Sequence, residues 1–160
     1  MKLVQGPPVV QWVAERIPYM GTAERFGQAC GIGVVSEDDK LIGGVVFHSW
    51  APWFGYIEAS FASDTPKWLT RPLICTILSH PFDTLDCQRI TAATPRNAAS
   101  AHRFLKKFGF QFEGLVRRGF GDDDAVVSGL LREDWRASRW MNPPKRSVEG
   151  EQEGRFGLRS

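Results

Sequence analysis

Apolar residues recur along the first third of the chain in patterns that predict one helix and three strands. Their spacing over residues 9–17 is helical, and Pro18 ends that predicted helix. Two runs rich in β-forming residues, 26–35 and 41–50, flank a polar turn and predict a β-hairpin. A further strand-like run covers residues 55–62. The pattern therefore predicts an antiparallel meander that follows a short helix.

The middle of the chain predicts a crossover. Apolar residues trace one face of a helix over residues 68–80, with Pro72 in its first turn, where a missing N–H loses no hydrogen bond. A strand over residues 89–94 follows and is closed by Pro95. Because a helix separates it from the strand at 55–62, we expect these two strands to be parallel.

The last predicted elements are one helix and two strands. Helical spacing continues over residues 97–107 until Gly109 stops it, and strands are predicted at 110–117 and 125–131, joined by the segment 119–124. The order of elements predicts an α+β fold, with a mixed, mostly antiparallel central sheet and helices on both faces.

Length and composition limit the organisation of the chain. Its 160 residues, 42% of them hydrophobic, predict one globular domain over residues 1–141. The segment 142–160 holds few large apolar groups and is expected to be a flexible tail. A formal charge of +2 gives no reason to expect nucleic acid or an anionic membrane as the main partner.

Two further observations concern the compartment and metal chemistry. No run of about 18 apolar residues is present, and Pro7 and Pro8 interrupt the opening segment, so we expect a cytoplasmic protein without a membrane span or secretory signal. The three cysteines, Cys30, Cys75 and Cys87, have no C-x-x-C spacing and are expected to be buried free thiols. No metal site is predicted.

The most specific motif lies at residues 97–110, N-A-A-S-A-H-R-F-L-K-K-F-G-F, followed by Glu113-Gly114 and Arg117. It resembles the late motif of the GNAT family of N-acetyltransferases, and is most similar to the branch that acetylates the N-termini of ribosomal proteins. The resemblance covers residues 41–135. It implies a GNAT fold, acetyl-CoA as cofactor and direct transfer to a small-molecule or protein amine. A bacteriophage origin of the sequence and a homodimeric protein are both compatible with this resemblance.

The resemblance implies a cofactor site at the start of the helix predicted at 68–80. The family holds the pyrophosphate of coenzyme A in a glycine-rich loop, whereas this chain has no glycine over residues 65–71 and places Trp68 where the second glycine would be. Free N–H groups, Lys67 and Arg71 would hold the phosphates instead. The candidate cofactor-binding residues are Phe61, Ala62, Lys67, Trp68, Leu69, Thr70, Arg71, Asn97, Ser100 and Phe104.

Acyl transfer to an amine needs a base and a proton donor for the leaving thiolate. Glu58 is the candidate base, because a carboxylate in an apolar strand is costly unless it is paired or functional. His48 is the second candidate. The resemblance implies Ser100 as the thiolate's donor, since Phe104 stands where the family often has tyrosine. Asn97 would hold the cofactor or cap its helix.

The acceptor would be held by residues around the strand at 55–62. The candidate substrate-binding residues are His48, Trp50, Trp53 and Glu58. The three acidic residues at 122–124 would attract a cationic amine or would be solvated. Two alternatives remain open: a catalytically inactive GNAT fold that binds or inhibits another protein, and an acyltransferase whose tryptophans stack on a nucleobase.

Overall fold

The computed structural model describes residues 1–144, and within them the chain forms seven strands and four α-helices. The strands are β1 (Lys2–Gln5), β2 (Ala29–Val35), β3 (Leu41–Ala51), β4 (Tyr56–Ser63), β5 (Arg89–Pro95), β6 (Gln111–Phe120) and β7 (Asp123–Leu131). The helices are α1 (Pro7–Arg16), α2 (Arg71–Ser79), α3 (Ala99–Lys107) and α4 (Arg132–Arg136). All but the first three residues of the predicted tail, 142–160, lie outside the described residues.

The seven strands form one sheet in the order β1-β2-β3-β4-β5-β7-β6. Every neighbouring pair is antiparallel except β4 and β5, which are parallel and are connected through α2. This confirms the predicted α+β class, the three-stranded meander and the parallel pair. Only the parallel pair required a crossover, because antiparallel neighbours can be joined by short turns.

The parallel pair is short, and its two strands then separate. Registered pairs run from Tyr56 opposite Arg89 to Glu58 opposite Thr91 and stop there. Beyond this point β4 continues to pair with β3, and β5 continues to pair with β7. The sheet therefore opens into a gap between β4 and β5 while each strand keeps its outer partner.

The sheet divides the core into two clusters because successive side chains of a strand point to opposite faces. Val46 of β3 packs with the apolar side of α1, in a cluster that includes Val13. Its neighbour Val45 packs on the other face with α2 and α3, in a larger cluster that includes Ile77 and Leu105. Helices thus cover both faces, as predicted.

Several element boundaries differ from those predicted. β1 was not predicted. α2 begins at Arg71 rather than at residue 68, because the Thr70 hydroxyl accepts the N–H of Leu73 and caps the helix there. A π-helical turn at His80–Thr84 follows α2. α3 begins two residues after Asn97, with Ala98 at the N-cap and no side-chain cap, so Asn97 is not a capping residue.

The last two strands are longer than predicted, and the cysteines differ in exposure. β6 runs on to Phe120 and β7 begins at Asp123, so the predicted connection at 119–124 shrinks to a tight turn. Cys87 is buried and Cys75 is half-buried. The prediction was wrong for Cys30, which is exposed near the beginning of β2. Within residues 1–144, no helix has the length and apolar character that crossing a membrane requires.

Candidate functional site

Two adjoining cavities lie at the gap between β4 and β5. The first, here called the front cavity, has a volume of about 580 Å³ and is lined by both strands, the end of α1 and the β6–β7 hairpin. The second, the back cavity, has a volume of about 640 Å³ and is lined by the end of β4, the segment leading to α2, and α3. Both are lined by Phe61, Ala101 and Phe104. These three side chains therefore form a wall that the two cavities share, in which the rings of Phe61 and Phe104 pack with centroids 5.1 Å apart.

The front cavity has an aromatic rim. Tyr19, after α1, and Phe120, at the end of β6, have ring centroids 4.4 Å apart. This contact joins the two elements on either side of the cavity opening, and burial raises the pKa of the Tyr19 hydroxyl above its ordinary value. Asp123 and Ser60 supply polar groups to the same cavity.

A row of polar side chains, joined by two hydrogen bonds and one ion-pair contact, runs along β3 and β4 from the front cavity. His48 Nε2 lies 3.0 Å from Ser60 Oγ, and His48 Nδ1 lies 3.4 Å from Glu58 Oε2. The Tyr56 hydroxyl donates to Glu58 Oε1 at 2.8 Å. Glu58 is opposite His48 in the antiparallel register, which explains why these groups meet. Ser60 is the member of this row that lines the front cavity, whereas Glu58 and His48 line neither cavity.

The surroundings of His48 favour a neutral ring at neutral pH. Desolvation by burial lowers its pKa below the ordinary value, and the negative charge of Glu58 partly opposes this shift. The Phe26 ring packs over the imidazole with a centroid distance of 5.0 Å. A neutral imidazole has one donor nitrogen and one acceptor nitrogen, so it can bond a carboxylate on one side and receive a hydroxyl proton on the other.

The back cavity has an aromatic wall built around Trp68, which is only 2% exposed. Its indole lies against the backbone of Gly43 in β3, where any side chain would overlap it, and is nearly parallel to Phe104, with an interplanar angle of 12° and centroids 6.2 Å apart. The tryptophan therefore points into the core, because the missing side chain at position 43 leaves room for it. Its bulk is directed toward the sheet.

The segment that precedes α2 offers backbone donors. Within residues 1–144, the N–H groups of Trp68, Leu69 and Thr70 have no hydrogen-bond acceptor. Lys67 is exposed beside them. The beginning of a helix favours anions because unpaired N–H groups and the helix dipole act together there. This arrangement can replace glycines as a source of N–H donors.

The positive charges of the back cavity come from α3. Arg103 and Lys107 line it, whereas Lys67 and Arg71 do not. The guanidinium of Arg71 donates to the carbonyl oxygens of Arg139 and Trp140, at 2.6 and 2.8 Å. Arg71 therefore ties α2 to the segment after α4 and is not directed into the cavity.

Residues from the predicted acetyltransferase motif lie on or near the same wall. Ser100, in the first turn of α3, is exposed and lines the back cavity beside Phe104. Ala62 also lines it, one residue beyond the shared Phe61. Asn97 is exposed in the turn before α3, and its backbone carbonyl accepts the N–H of Ala99.

The predicted aromatic substrate residues lie elsewhere. Trp53 is 75% exposed in a 3-10 turn between β3 and β4, and Trp50 is half-exposed. Trp50 lines a third cavity of about 400 Å³, together with Cys30 and His80. The structure therefore separates both tryptophans from the front and back cavities.

Sequence reasoning missed several residues that the structure places at the cavities, and three of them bear on the proposed chemistry. Ser60, Arg103 and Lys107 were not predicted as site residues. A signal was present for the last two, because helical spacing from Ser100 puts both on one side of α3. No sequence signal distinguishes Ser60 from any other serine in a strand. Among the described residues, no group of three or more His, Cys, Asp or Glu side chains is placed to hold a metal ion.

Comparisons with known proteins identify the fold. No protein-family model and no curated protein sequence matches the chain. Among solved structures, a variant of the spermidine N-acetyltransferase SpeG from Vibrio cholerae is similar, with a TM-score of 0.67 and 15% identity over 86% of this chain and 100% of that one. The ribosomal-protein-S5-alanine acetyltransferase from Vibrio fischeri is similar with a TM-score of 0.65 and 16% identity, over 83% of this chain and 93% of that one.

Proposed function

The fold described above is the GNAT fold that these acetyltransferases share, and we propose that this chain is an acetyl-CoA-dependent N-acetyltransferase. The observation that carries the proposal is the presence of two cavities that share a wall at the gap between β4 and β5. Arg16 of the front cavity and Asp64 of the back cavity pair with each other. Of the remaining charged groups, the back cavity has the basic side chains of Arg103 and Lys107, suited to phosphates, and the front cavity has the carboxylate of Asp123, suited to an amine. Transfer of an acetyl group from one bound molecule to another needs two binding cavities that bring the reacting atoms close together.

The back cavity is the proposed site of acetyl-CoA. The N–H groups of Trp68 and Leu69, with Arg103 and Lys107, would bind the phosphates, and Lys67 stands close to the same segment. The unpaired strand edges near Phe61 and Ala62 would supply an N–H to the thioester oxygen. Bound acetyl-CoA supplies the activated acetyl group.

The polar chain on β4 and the first turn of α3 supply the proton chemistry. Glu58 and His48 together are the proposed source of basicity, since the carboxylate faces the imidazole, and the imidazole connects to the front cavity through Ser60. Ser100 is the proposed donor to the leaving thiolate, because its exposed hydroxyl lines the back cavity. Asn97, beside the start of α3, is a proposed contact for the pantetheine arm.

The proposed acceptor is a small cationic amine. Asp123 lines the front cavity and, among the described residues, forms no ion pair, whereas the neighbouring Asp124 pairs with Arg96. The similar structures include proteins named for acetylating spermidine and for acetylating an alanine of ribosomal protein S5. A polyamine and a peptide with a free N-terminal alanine are therefore the first acceptors to test. The second represents the ribosomal branch that the motif at 97–110 resembles.

A non-catalytic binding protein is the second candidate. Two observations favour it: Phe104 has no hydroxyl where the family often has one, and Trp68 replaces a glycine of the phosphate loop. The inward direction of the Trp68 indole weighs against it, because the loop backbone is not covered by that side chain.

Calorimetric titration of the purified chain with acetyl-CoA tests the proposal. We expect binding in the micromolar range, and an Arg103→Ala/Lys107→Ala variant should weaken it about tenfold or more, because two phosphate contacts are lost. Lys106→Ala is the matched control, since Lys106 has the same charge on the same helix but lines a different cavity. No binding at millimolar acetyl-CoA would overturn the proposal and favour the binding protein.

A further inference from the structure

The front cavity has one hydroxyl that is hydrogen-bonded to an imidazole, and that imidazole faces a carboxylate. Ser60 Oγ lies 3.0 Å from His48 Nε2, and on the other side of the ring Nδ1 lies 3.4 Å from Glu58 Oε2. Glu58 is further fixed by the Tyr56 hydroxyl at 2.8 Å. The sequence of groups is hydroxyl, imidazole, carboxylate, and its hydroxyl end lines the cavity assigned to the amine.

Glu58 itself is poorly placed to take a proton directly from an acceptor in the front cavity. It is not among the residues that line this cavity, and it lies at the last registered pair of β4 and β5, before the strands separate. Ser60 is two residues further along β4 on the same face and lies where the gap has opened. A proton that leaves the cavity along these side chains must therefore pass Ser60 first.

We propose that Ser60 passes the proton of the acceptor amine to His48, which acts as the base, and that Glu58 is a positioning residue that orients and stabilises the imidazole. This inference rests on the proposed acetyl transfer. Ser49 Oγ at 3.1 Å and the Glu58 carboxylate at 3.4 Å both face Nδ1 and favour a hydrogen there, which leaves Nε2 as the acceptor of the Ser60 hydroxyl. An imidazole in this arrangement is neutral before the reaction. When it takes up the proton, the neighbouring Glu58 carboxylate compensates its positive charge.

The protons and bonds balance. The ammonium form of the acceptor gives one proton to Ser60 Oγ while the Ser60 hydroxyl proton moves to His48 Nε2. The freed nitrogen lone pair forms the C–N bond, the C–S bond of the thioester breaks, and a second nitrogen proton ends on the coenzyme A sulfur. His48 then releases its proton to solvent, so the products are an amide, a thiol and one proton.

Among the described residues, Glu58 is the charged group that acts on the pKa of His48, and Arg89 of β5 lies further away, bonded to Thr91, which is opposite Glu58. Phe26 packs on the ring from the 3-10 turn before β2, and Ala29 of β2 is opposite it in register. β4 contributes Glu58 and Ser60, and Ser49, next in β3, places its hydroxyl 3.1 Å from Nδ1. Because burial lowers the pKa of His48, its neutral form persists to a pH below the ordinary imidazole range. The rate should therefore fall only when pH drops below that range.

The test compares two serines that both touch His48. Ser60→Ala removes the hydroxyl that lines the cavity, Ser60→Thr keeps a hydroxyl there, and Ser49→Ala removes an exposed hydroxyl on the other side of the ring. Thiol release from acetyl-CoA is measured against pH with spermidine and with a peptide bearing an N-terminal alanine. We expect Ser60→Ala to lower kcat about 100-fold and to lose the acidic limb of the pH profile, with the KM for acetyl-CoA unchanged.

The other variants and outcomes separate the relay from the transfer reaction. Ser60→Thr should retain much of the activity. Ser49→Ala should lower kcat far less than Ser60→Ala does, because it removes one of the two groups that face Nδ1 and leaves the path from the cavity to Nε2 intact. Wild-type kcat and pH profile in Ser60→Ala would overturn the relay and leave the acetyltransferase intact. An acetyl group found on Ser60 by intact-protein mass spectrometry would overturn it in favour of a covalent intermediate. A wild-type protein that acetylates neither amine would overturn the proposed function, and the relay with it.

Discussion

The front and back cavities share Phe61, Ala101 and Phe104 but differ in how their polar groups are held. In the front cavity, Ser60 belongs to a connected chain of side chains on two adjacent strands. In the back cavity, the basic groups extend from a helix surface, and the donors are backbone N–H groups. The proposed proton path depends on the positions of particular side chains, whereas the proposed phosphate site needs only positive potential and free N–H groups. Substitutions at the front cavity should therefore change the catalytic rate. Substitutions at the back cavity should change the affinity for acetyl-CoA or the stability of the protein.

The largest expected effect is on the front side. Glu58→Gln removes the negative charge beside His48, so the imidazolium loses its stabilisation and the pKa of His48 falls further. We expect kcat to drop about 100-fold or more and the acidic limb of the rate profile to shift to lower pH, while the Kd of acetyl-CoA stays within about twofold. Steady-state kinetics over pH, together with calorimetry, measure both. Unchanged turnover at saturating substrates would remove Glu58 from the mechanism.

The next effect concerns the aromatic wall of the back cavity. A side chain at position 43 would overlap the Trp68 indole, so Gly43→Ala forces Trp68 or β3 to shift. Overpacking of this kind costs roughly 1–3 kcal/mol, and acetyl-CoA affinity should fall because the segment proposed to bind its phosphates moves with Trp68. Gly114→Ala, in β6, is the control, since a methyl group there meets nothing within 4 Å. Equal urea midpoints for the two variants would contradict the packing of Trp68 described here.

A smaller loss is expected at the beginning of α2. Thr70→Ala removes the hydroxyl that accepts the N–H of Leu73, and loss of such a cap costs about 1 kcal/mol. Thr76→Ala serves as comparison, because the Thr76 hydroxyl donates to a carbonyl within the same helix and caps nothing. Thermal unfolding followed by circular dichroism should rank Thr70→Ala below Thr76→Ala. The reverse order would mean that the helix does not depend on this cap.

The smallest effect is at the mouth of the front cavity. Asp123→Asn removes one exposed negative charge, so the KM for spermidine should rise about two- to fivefold with kcat little changed. Asp122→Asn is the control, because Asp122 lies in the turn and does not line the cavity. High salt should reduce the difference between the wild type and Asp123→Asn. If Asp123→Asn and Asp122→Asn raise the KM equally, the effect comes from the overall negative charge of this turn and not from a local contact of Asp123 with the amine.

The strands of the central sheet could be predicted from the sequence because residue preferences, turn residues and periodicity indicate the same elements. The meander and the crossover follow from β-forming runs, a polar turn and a helical pattern between two strands. The beginning of α2 was placed too early because Trp68 and Leu69 extend the apolar pattern, although Thr70 and Pro72 carry the true signals for a helix start. β1 was not predicted because its four residues are too few to show the alternation of apolar and polar positions that indicates a strand.

The site was only partly predictable. Glu58 was singled out as a carboxylate in an apolar strand and His48 for the near-neutral pKa of an ordinary imidazole, and the antiparallel register places them opposite each other. Their connection to Ser60 depends on that register and on the gap beside β5, neither of which is a property of any one segment. The tryptophans at 50 and 53 were conspicuous by residue type, yet the structure places them away from both cavities. Residue type alone does not reveal where neighbouring strands separate.

The three-residue contact between β4 and β5 also has a consequence for how the chain assembles. β2, β3 and β4 are joined by short turns, so these three strands can pair through short loop closures, and β6 and β7 form a hairpin in the same way. Joining the two groups requires the crossover through α2, and only three registered pairs hold β4 against β5. The folding rate should therefore be limited by docking of the two half-sheets, and the seam between them is the line along which the native state opens first.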